Sequence, residues 1–237
     1  MKAISIIKIA LENYSENELI FASKLYREKL CGEMEEAAFY KALERMCKSG
    51  ELVRIAKGTY HLPKRSKYGT VPPSEREIVS AFTKNGLGTV IGYSLYNSLN
   101  LTTQIPKTIN ILSSAIDGYS KSIRNVVIHR SNLDYTEAVE NMVHGLEVLQ
   151  NFSSIQDINY DAFYRFAHNF ALKYTDEVFK RVVETQNYKK NTISFMHNIL
   201  DYFHVNNQLE KYLSSMSEYK HPRMEDIYET AQRIALH

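Results

Sequence analysis

The chain has 237 residues, of which 44% are hydrophobic and 24% are charged, and its formal net charge is +2. This composition is typical of a folded globular protein and excludes a charge-rich disordered chain. Nine glycines and five prolines are few for the turns of an all-β fold, so we predict an α+β protein that is mainly helical.

Membrane-spanning and disulfide-stapled proteins are also excluded. No apolar stretch approaches the roughly 20 residues that cross a bilayer, and lysines interrupt the N-terminal segment 1–8, unlike a signal peptide. Cys31 and Cys47 are too few for a disulfide framework or a zinc cage, which predicts two reduced thiols. We therefore expect a cytoplasmic protein without a membrane partner.

Positive charge is concentrated at the start of the chain. Residues 1–68 carry 13 Lys and Arg against 9 Asp and Glu, whereas the remainder carries more acids than bases. A basic N-terminal third on a slightly acidic body suggests a module that faces a polyanion.

Three helices are predicted in the first fifty residues. Apolar residues at helical spacing indicate a first helix that stops near residues 13–15. A capping sequence at 15–18 predicts the start of a second helix, which ends near Gly32. The third helix is predicted from about residue 34 to residue 49, and Gly50 closes it as a glycine just past the helix end would.

The opposite face of this third helix carries cations. Lys41, Arg45 and Lys48 follow one another at i, i+4 and i+7, and Tyr40 lies nearby. Two β-prone runs then follow, joined by a turn at 56–58 whose glycine can adopt a positive φ.

Three helices followed by a hairpin are the order of a winged helix-turn-helix. In such a module the third helix enters the major groove, while the wing and flanking cations contact phosphate. The predicted DNA-binding residues are Tyr40, Lys41, Arg45, Lys48, Arg54, Lys57, Lys64 and Arg65. The alternatives are a solvated charged helix face and a winged helix that docks a partner protein rather than DNA.

The middle of the chain predicts a small α+β domain. Residues 68–74 are rich in turn formers and predict a linker, and Ser74 and Glu77 have the spacing of a capping box that opens a helix to about residue 84. A helix is predicted at 93–99. Strands are predicted at 108–112 and 123–129.

The last third, from Asp161 onward, predicts helices with aromatic stripes that form a bundle core, or a surface that holds another protein. The resulting domains are 1–67, a winged helix-turn-helix; 68–150, an α+β domain; and 151–237, a helical region.

His197, Asp201 and His204 form a conceivable metal trio, but no further motif accompanies them. No catalytic constellation is evident, so we predict a protein that is not an enzyme and needs no cofactor.

Two segments resemble a known family. Ala42–Lys64 has the alanine-leucine-x-arginine helix and the lysine-glycine-x-tyrosine wing of the AbiEi-type antitoxins, and Gly92–Pro106 is similar to the second-domain motif of that family. The resemblance covers roughly residues 15–130. The sequence departs from the pattern at Asn100, where relatives usually have glycine.

The resemblance implies a DNA-binding transcriptional autorepressor and antitoxin of a bacterial type IV toxin–antitoxin (abortive infection) system. Its implied partners are double-stranded DNA, namely inverted repeats in its own promoter, and a nucleotidyltransferase-like toxin that it counteracts directly or indirectly.

Overall fold

The computed structural model describes residues 2–235 and divides them into two units. Unit 1 contains the residues up to Phe82 together with Ser122–Val126, and unit 2 contains Thr83–Lys121 and the residues from Val127 onward. This division differs from the predicted boundaries after residues 67 and 150. Helices account for about half of the described residues, in line with the predicted mainly helical α+β class.

Unit 1 alternates helices with short strands in its first sixty residues. The elements are α1 (Lys2–Leu11), β1 (Leu19–Phe21), α2 (Ala22–Leu25), α3 (Glu36–Lys48), β2 (Val53–Ala56) and β3 (Thr59–His61). The three strands form an antiparallel sheet in the order β1-β3-β2. A π-helical turn, Tyr26–Leu30, extends α2.

The predicted second helix is wrong at its start. Leu19, Ile20 and Phe21 form strand β1, which pairs with β3 so that Leu19 lies opposite His61. A three-residue apolar run fits a buried strand as well as a helix, and pairing with a strand forty residues away decides the outcome. The helix therefore begins only at Ala22.

The core of unit 1 joins α1, α2 and α3 to the sheet. Its fully buried side chains include Ile7, Leu25, Phe39 and Leu43. The predicted glycine at the end of α3 is confirmed, since Gly50 has φ of 72° and its amide donates to the Cys47 carbonyl.

Residues 64–71 form a second hairpin rather than part of a linker. Strands β4 (Lys64–Ser66) and β5 (Gly69–Val71) pair only with each other and are exposed throughout. The prediction of a linker at 68–74 is therefore wrong for residues 68–71, which belong to this hairpin. Local turn formers predicted irregular chain there, but they instead form the tight turn of a hairpin.

The capping box at the start of the next helix, α4 (Glu75–Thr83), is confirmed. The Ser74 amide donates to the Glu77 carboxylate over 2.6 Å, and the Glu77 amide donates to the Ser74 hydroxyl over 3.3 Å. The bond from the Ser74 amide, followed by the one that the Ser74 hydroxyl donates to the same carboxylate over 2.7 Å, lowers the pKa of Glu77.

Unit 2 begins with strands around one short helix. The elements are β6 (Gly88–Ile91), α5 (Tyr93–Ser98), β7 (Ile109–Ser113), β8 (Ser120–Ile123) and β9 (Val126–Arg130), and the sheet order is β6-β7-β9-β8. The tip of the β8–β9 hairpin belongs to unit 1. The single strand predicted at 123–129 is wrong, because a turn at Arg124, with φ of 57°, divides it into β8 and β9.

The remainder of unit 2 is helical, as predicted from the aromatic stripes. The helices are α6 (Glu137–Asn151), α7 (Tyr160–Leu172), α8 (Asp176–Thr185), α9 (Lys190–Tyr202) and α10 (Met224–Ala235). Their buried faces form one core with fully buried Phe163, Phe179 and Phe195. Within residues 2–235, no helix has the length and apolar character needed to cross a membrane.

Candidate nucleic-acid interface

Helix α3 has one buried and one exposed face. Its buried residues are Phe39, Ala42, Leu43 and Met46, which hold the helix on the core of unit 1. The predicted residues on the other face, Tyr40, Lys41, Arg45 and Lys48, are all exposed. The helical period therefore leaves the whole predicted cluster accessible to a partner.

The cations of α3 differ in how far they are neutralised. The Lys48 ammonium lies 2.8 Å from the Glu44 carboxylate, and their hydrogen bond lowers the pKa of Glu44. The side chains of Lys41 and Arg45 form no ion pair with an acid anywhere between residues 2 and 235. These two cations are the ones most available to a polyanion.

Acidic side chains surround the N-terminus of α3. Glu33, Glu35 and Glu36 are exposed there, where they interact favourably with the positive end of the helix dipole. The positively charged part of this helix face therefore begins after them, at Lys41.

The β2–β3 turn carries two further predicted residues. Lys57 is exposed beside Gly58, whose φ is 70°. The Gly58 carbonyl accepts a bond of 3.0 Å from the Ala22 amide, so the turn is anchored to the start of α2.

Arg54 lies on β2 close to α3. Its guanidinium donates to the Ala56 carbonyl over 3.4 Å and interacts with Cys47 of α3. Burial raises the pKa of the Cys47 thiol, and the charge of Arg54 opposes that rise. The strand thus brings Arg54 beside the C-terminal half of α3.

Lys64 and Arg65 lie on a different element from the other predicted residues. Both are exposed on β4, in the second hairpin. The tip of that hairpin adds two residues outside the predicted set, Lys67 and Tyr68, of which Tyr68 is 88% exposed. The signal that could have revealed them is the sequence Ser-Lys-Tyr-Gly, in which the glycine favours a tight turn between two β-prone runs.

The conceivable metal trio does not form on one helix face. His197 Nδ1 lies 2.7 Å from the Asp201 carboxylate, but α9 ends at Tyr202, and His204 follows with φ of 55°. Among residues 2–235 no group of three or more potential ligands could hold a metal ion.

A polar cluster in unit 2 joins β6 to α6. The Thr89 hydroxyl donates to the Glu140 carboxylate over 2.6 Å, and its oxygen lies 2.7 Å from His144 Nε2. Burial lowers the pKa of His144. The three side chains thus link β6 to α6.

A second buried acid lies in unit 2. Glu147 on α6 accepts bonds of 3.1 Å from the Tyr96 hydroxyl and from the Asn151 amide. Burial raises the pKa of Glu147.

Comparison with known proteins gives one family and a weak structural similarity. The crystal structure of the RV2827C protein from Mycobacterium tuberculosis is 12% identical, with a TM-score of 0.36, over 86% of this chain and 78% of that chain. No curated protein matches the chain. A family of unknown function, DUF6088, matches residues 22–148, from α2 to α6, which is more than half of the chain. The chain therefore belongs to the DUF6088 family.

Proposed function

We propose that unit 1 is a winged helix-turn-helix that binds double-stranded DNA. The observation that carries the proposal is the element order α1-β1-α2-α3-β2-β3 with the sheet order β1-β3-β2. In this arrangement α3 is held on the core by one face and presents Lys41 and Arg45 on the other. A helix of this kind fits the width of the major groove.

Each exposed residue of α3 has a distinct part in this proposal. Tyr40 and Lys41, nearest the N-terminus, reach base edges, and Arg45 contributes a second contact in the groove. Lysine and arginine suit this role because they donate to guanine O6 and N7. Lys48, already paired with Glu44, reaches a phosphate near the end of the helix.

The turn between β2 and β3 is the proposed wing. Arg54 and Lys57 neutralise phosphates beside the groove that α3 occupies, and Lys64 and Arg65 add backbone contacts. Contacts of this type supply affinity and orientation but carry no sequence information.

The resemblance to AbiEi-type antitoxins extends the proposal to a biological role. We propose an autorepressor that binds inverted repeats in its own promoter and counteracts a nucleotidyltransferase-like toxin. Co-expression with a nucleotidyltransferase encoded beside its gene tests this role. Rescue of growth supports it, and unchanged toxicity with normal expression of both proteins contradicts it.

The DNA-binding proposal is tested by titrating the full-length protein against its own upstream DNA over about 50–200 mM salt. We expect affinity to fall steeply as salt rises, because each neutralised phosphate releases counterions. The double variant Lys41→Ala/Arg45→Ala should lose most of the affinity. A matched control, Lys189→Ala/Lys190→Ala, removes two exposed cations of unit 2 and should not. Absence of salt-dependent binding would contradict the proposal.

A second candidate is a module that docks a protein through the same face of α3. The exposed Glu33, Glu35 and Glu36 at the start of α3 favour this candidate, since they repel phosphate. It predicts a complex with a neighbouring gene product that survives about 0.5 M salt, where electrostatic DNA contacts are screened.

A further inference from the structure

The β4–β5 hairpin of unit 1 is exposed along both strands, and hydrogen bonds close its turn. All three residues of each strand are exposed. At the turn, the Ser66 hydroxyl donates to the Gly69 carbonyl over 3.0 Å, and the Tyr68 amide donates to the Ser66 oxygen over 3.2 Å. Gly69 has φ of 114°, a conformation that glycine adopts without strain.

A two-stranded hairpin whose residues are all exposed is by itself only marginally stable in water. Here the turn bonds stabilise it, and Pro63 and Pro72 restrict the chain on both sides. The structure thus maintains an exposed element that contributes little to a core. Such an element is expected to have a partner outside the chain.

The charge of the hairpin indicates what that partner is. Residues 64–71 include Lys64, Arg65 and Lys67 and no acid. The Lys67 ammonium lies 4.9 Å from the centre of the Tyr68 ring, so the tip presents an aromatic side chain together with a cation. A short cationic strip with one exposed ring is complementary to a polyanion that offers grooves or bases.

We propose that this hairpin is a second DNA-binding wing, an inference that rests on the proposed function of unit 1. Lys64, Arg65 and Lys67 neutralise phosphates outside the groove occupied by α3, and Tyr68 lies against the wall of the adjoining groove. Only two residues separate β3 from β4, so the hairpin belongs to the same unit as α3 and the first wing.

An anionic membrane surface is the other polyanion to consider. Elements that bind membranes insert a broad apolar face, whereas Tyr68 and Val71 are the exposed large apolar residues of this hairpin. The hairpin therefore favours DNA.

The test compares salt dependence in the full-length protein. Binding to a duplex of about 30 base pairs of its upstream DNA, three helical turns, is measured by fluorescence anisotropy over about 50–200 mM salt. For Lys64→Ala/Arg65→Ala/Lys67→Ala we expect the slope of log K against log salt to fall by about 2 to 3, since each phosphate contact contributes about 0.9. The control Lys189→Ala/Lys190→Ala/Lys220→Ala removes three exposed cations of unit 2 and should keep the slope.

The tip is tested separately by changing Tyr68. Tyr68→Ala should weaken binding about fivefold, because the ring loses its apolar contact with the sugars of the groove wall, and should not alter the salt slope. Tyr68→Phe keeps the ring and should bind almost as well as the wild type. Equal affinities for the alanine variant and the wild type would overturn the role of Tyr68.

The outcomes separate this inference from the proposed function. If the wild type shows no salt-dependent binding, both fail. If the wild type binds and the triple variant keeps its slope and affinity, only the second wing is overturned. If the triple variant does not fold, the single variant Lys67→Ala is used instead, and its salt slope should fall by about 0.9. Loss of binding to phosphatidylserine vesicles with unchanged DNA binding would assign the hairpin to membranes and overturn the inference.

Discussion

Asn100 shows how one residue replaces the glycine that the resemblance leads one to expect. It lies just after α5 with φ of 57°, and the Leu101 amide closes the helix end by donating to the Tyr96 carbonyl. Asparagine tolerates this left-handed conformation better than other residues that have a Cβ. Asn100 therefore preserves the backbone conformation that a glycine would adopt at this position.

We expect Asn100→Ala to lower the free energy of unfolding by about 1 kcal/mol, because alanine is strained at this φ. Asn100→Gly should keep or slightly raise stability. Chemical denaturation of both variants measures the difference. Equal destabilisation by glycine and alanine would show that the amide side chain, rather than the backbone conformation, is what matters.

Glu147 gives a prediction about pH. Its pKa is raised in the folded protein, so its contribution to stability is fully present below the pKa of the unfolded chain. That contribution is lost as pH rises through the folded pKa, because the buried carboxyl must then ionise. Glu147→Gln keeps acceptors for Tyr96 and Asn151 but cannot ionise, so its advantage in Tm over the wild type should grow from pH 4 to pH 8.

Thermal unfolding at several pH values checks this expectation. Glu218→Gln, at an exposed loop position, is the matched control and should show no such trend. A constant difference between Glu147→Gln and the wild type across this range would contradict it.

Helix α3 and the β2–β3 turn show which elements could be predicted from the sequence. Helix α3 is long and strongly periodic, and a glycine closes it, so local signals sufficed. The turn at Lys57 and Gly58 was likewise predicted from neighbouring residues alone. Strand β1 was not predicted, because its three residues form a strand only by pairing with β3. A local sequence pattern does not reveal that pairing.

If unit 1 binds DNA as proposed, its two elements should respond differently to substitution. Lys57→Ala, in the turn, should weaken binding about equally on all sequences and reduce the salt slope by about 1. Changes at Tyr40 or Lys41, on α3, should alter which sequence is preferred. A binding-site selection with randomised duplexes measures both effects. An unchanged preference after substitution of Lys41 would remove it from the base contacts.

Two helices of unit 2 approach closely at Gly145. A Cβ added at this position in α6 would lie 2.2 Å from the Phe170 ring of α7, and that ring is buried and stacked on Phe166. The ring therefore has little freedom to move aside.

We expect Gly145→Ala to destabilise the protein, since overpacking costs about 1–3 kcal/mol and the gain in helix propensity is about 1 kcal/mol. The Tm should fall by a few degrees. Phe170→Leu in the Gly145→Ala background should recover part of that loss, and a double-mutant cycle measures the coupling. Purely additive effects would show that the cost of Gly145→Ala does not arise from the Phe170 ring.

At the scale of the molecule, the predicted class was right, but the division of the chain was not foreseeable. The sequence between 68 and 74 looks like a linker because its residues favour turns. The observed boundary near Phe82 falls at the end of a regular helix, and the tip of the β8–β9 hairpin joins unit 1. Packing between residues that are distant in sequence determines this division, so local composition does not predict it.

This division predicts that residues 1–82 alone form a weakened unit. They lack the Arg124 guanidinium, which donates to the Pro73 carbonyl over 2.8 Å, and the hydrogen bond from Asn125 to Glu75. Hydrogen exchange across α3 and β3 should be faster in a 1–82 fragment than in the full chain. Equal protection in the two would show that Ser122–Val126 is dispensable.

The same hairpin tip constrains how such a protein can be rearranged. The chain passes between the two units at three points, near residues 82, 121 and 126, rather than once. A recombination event that transfers the first eighty residues to another gene leaves behind a strand turn that the transferred part requires. The two units are therefore expected to be inherited together. If unit 1 binds DNA as proposed, its binding specificity should change by substitution on α3 rather than by exchange of whole domains.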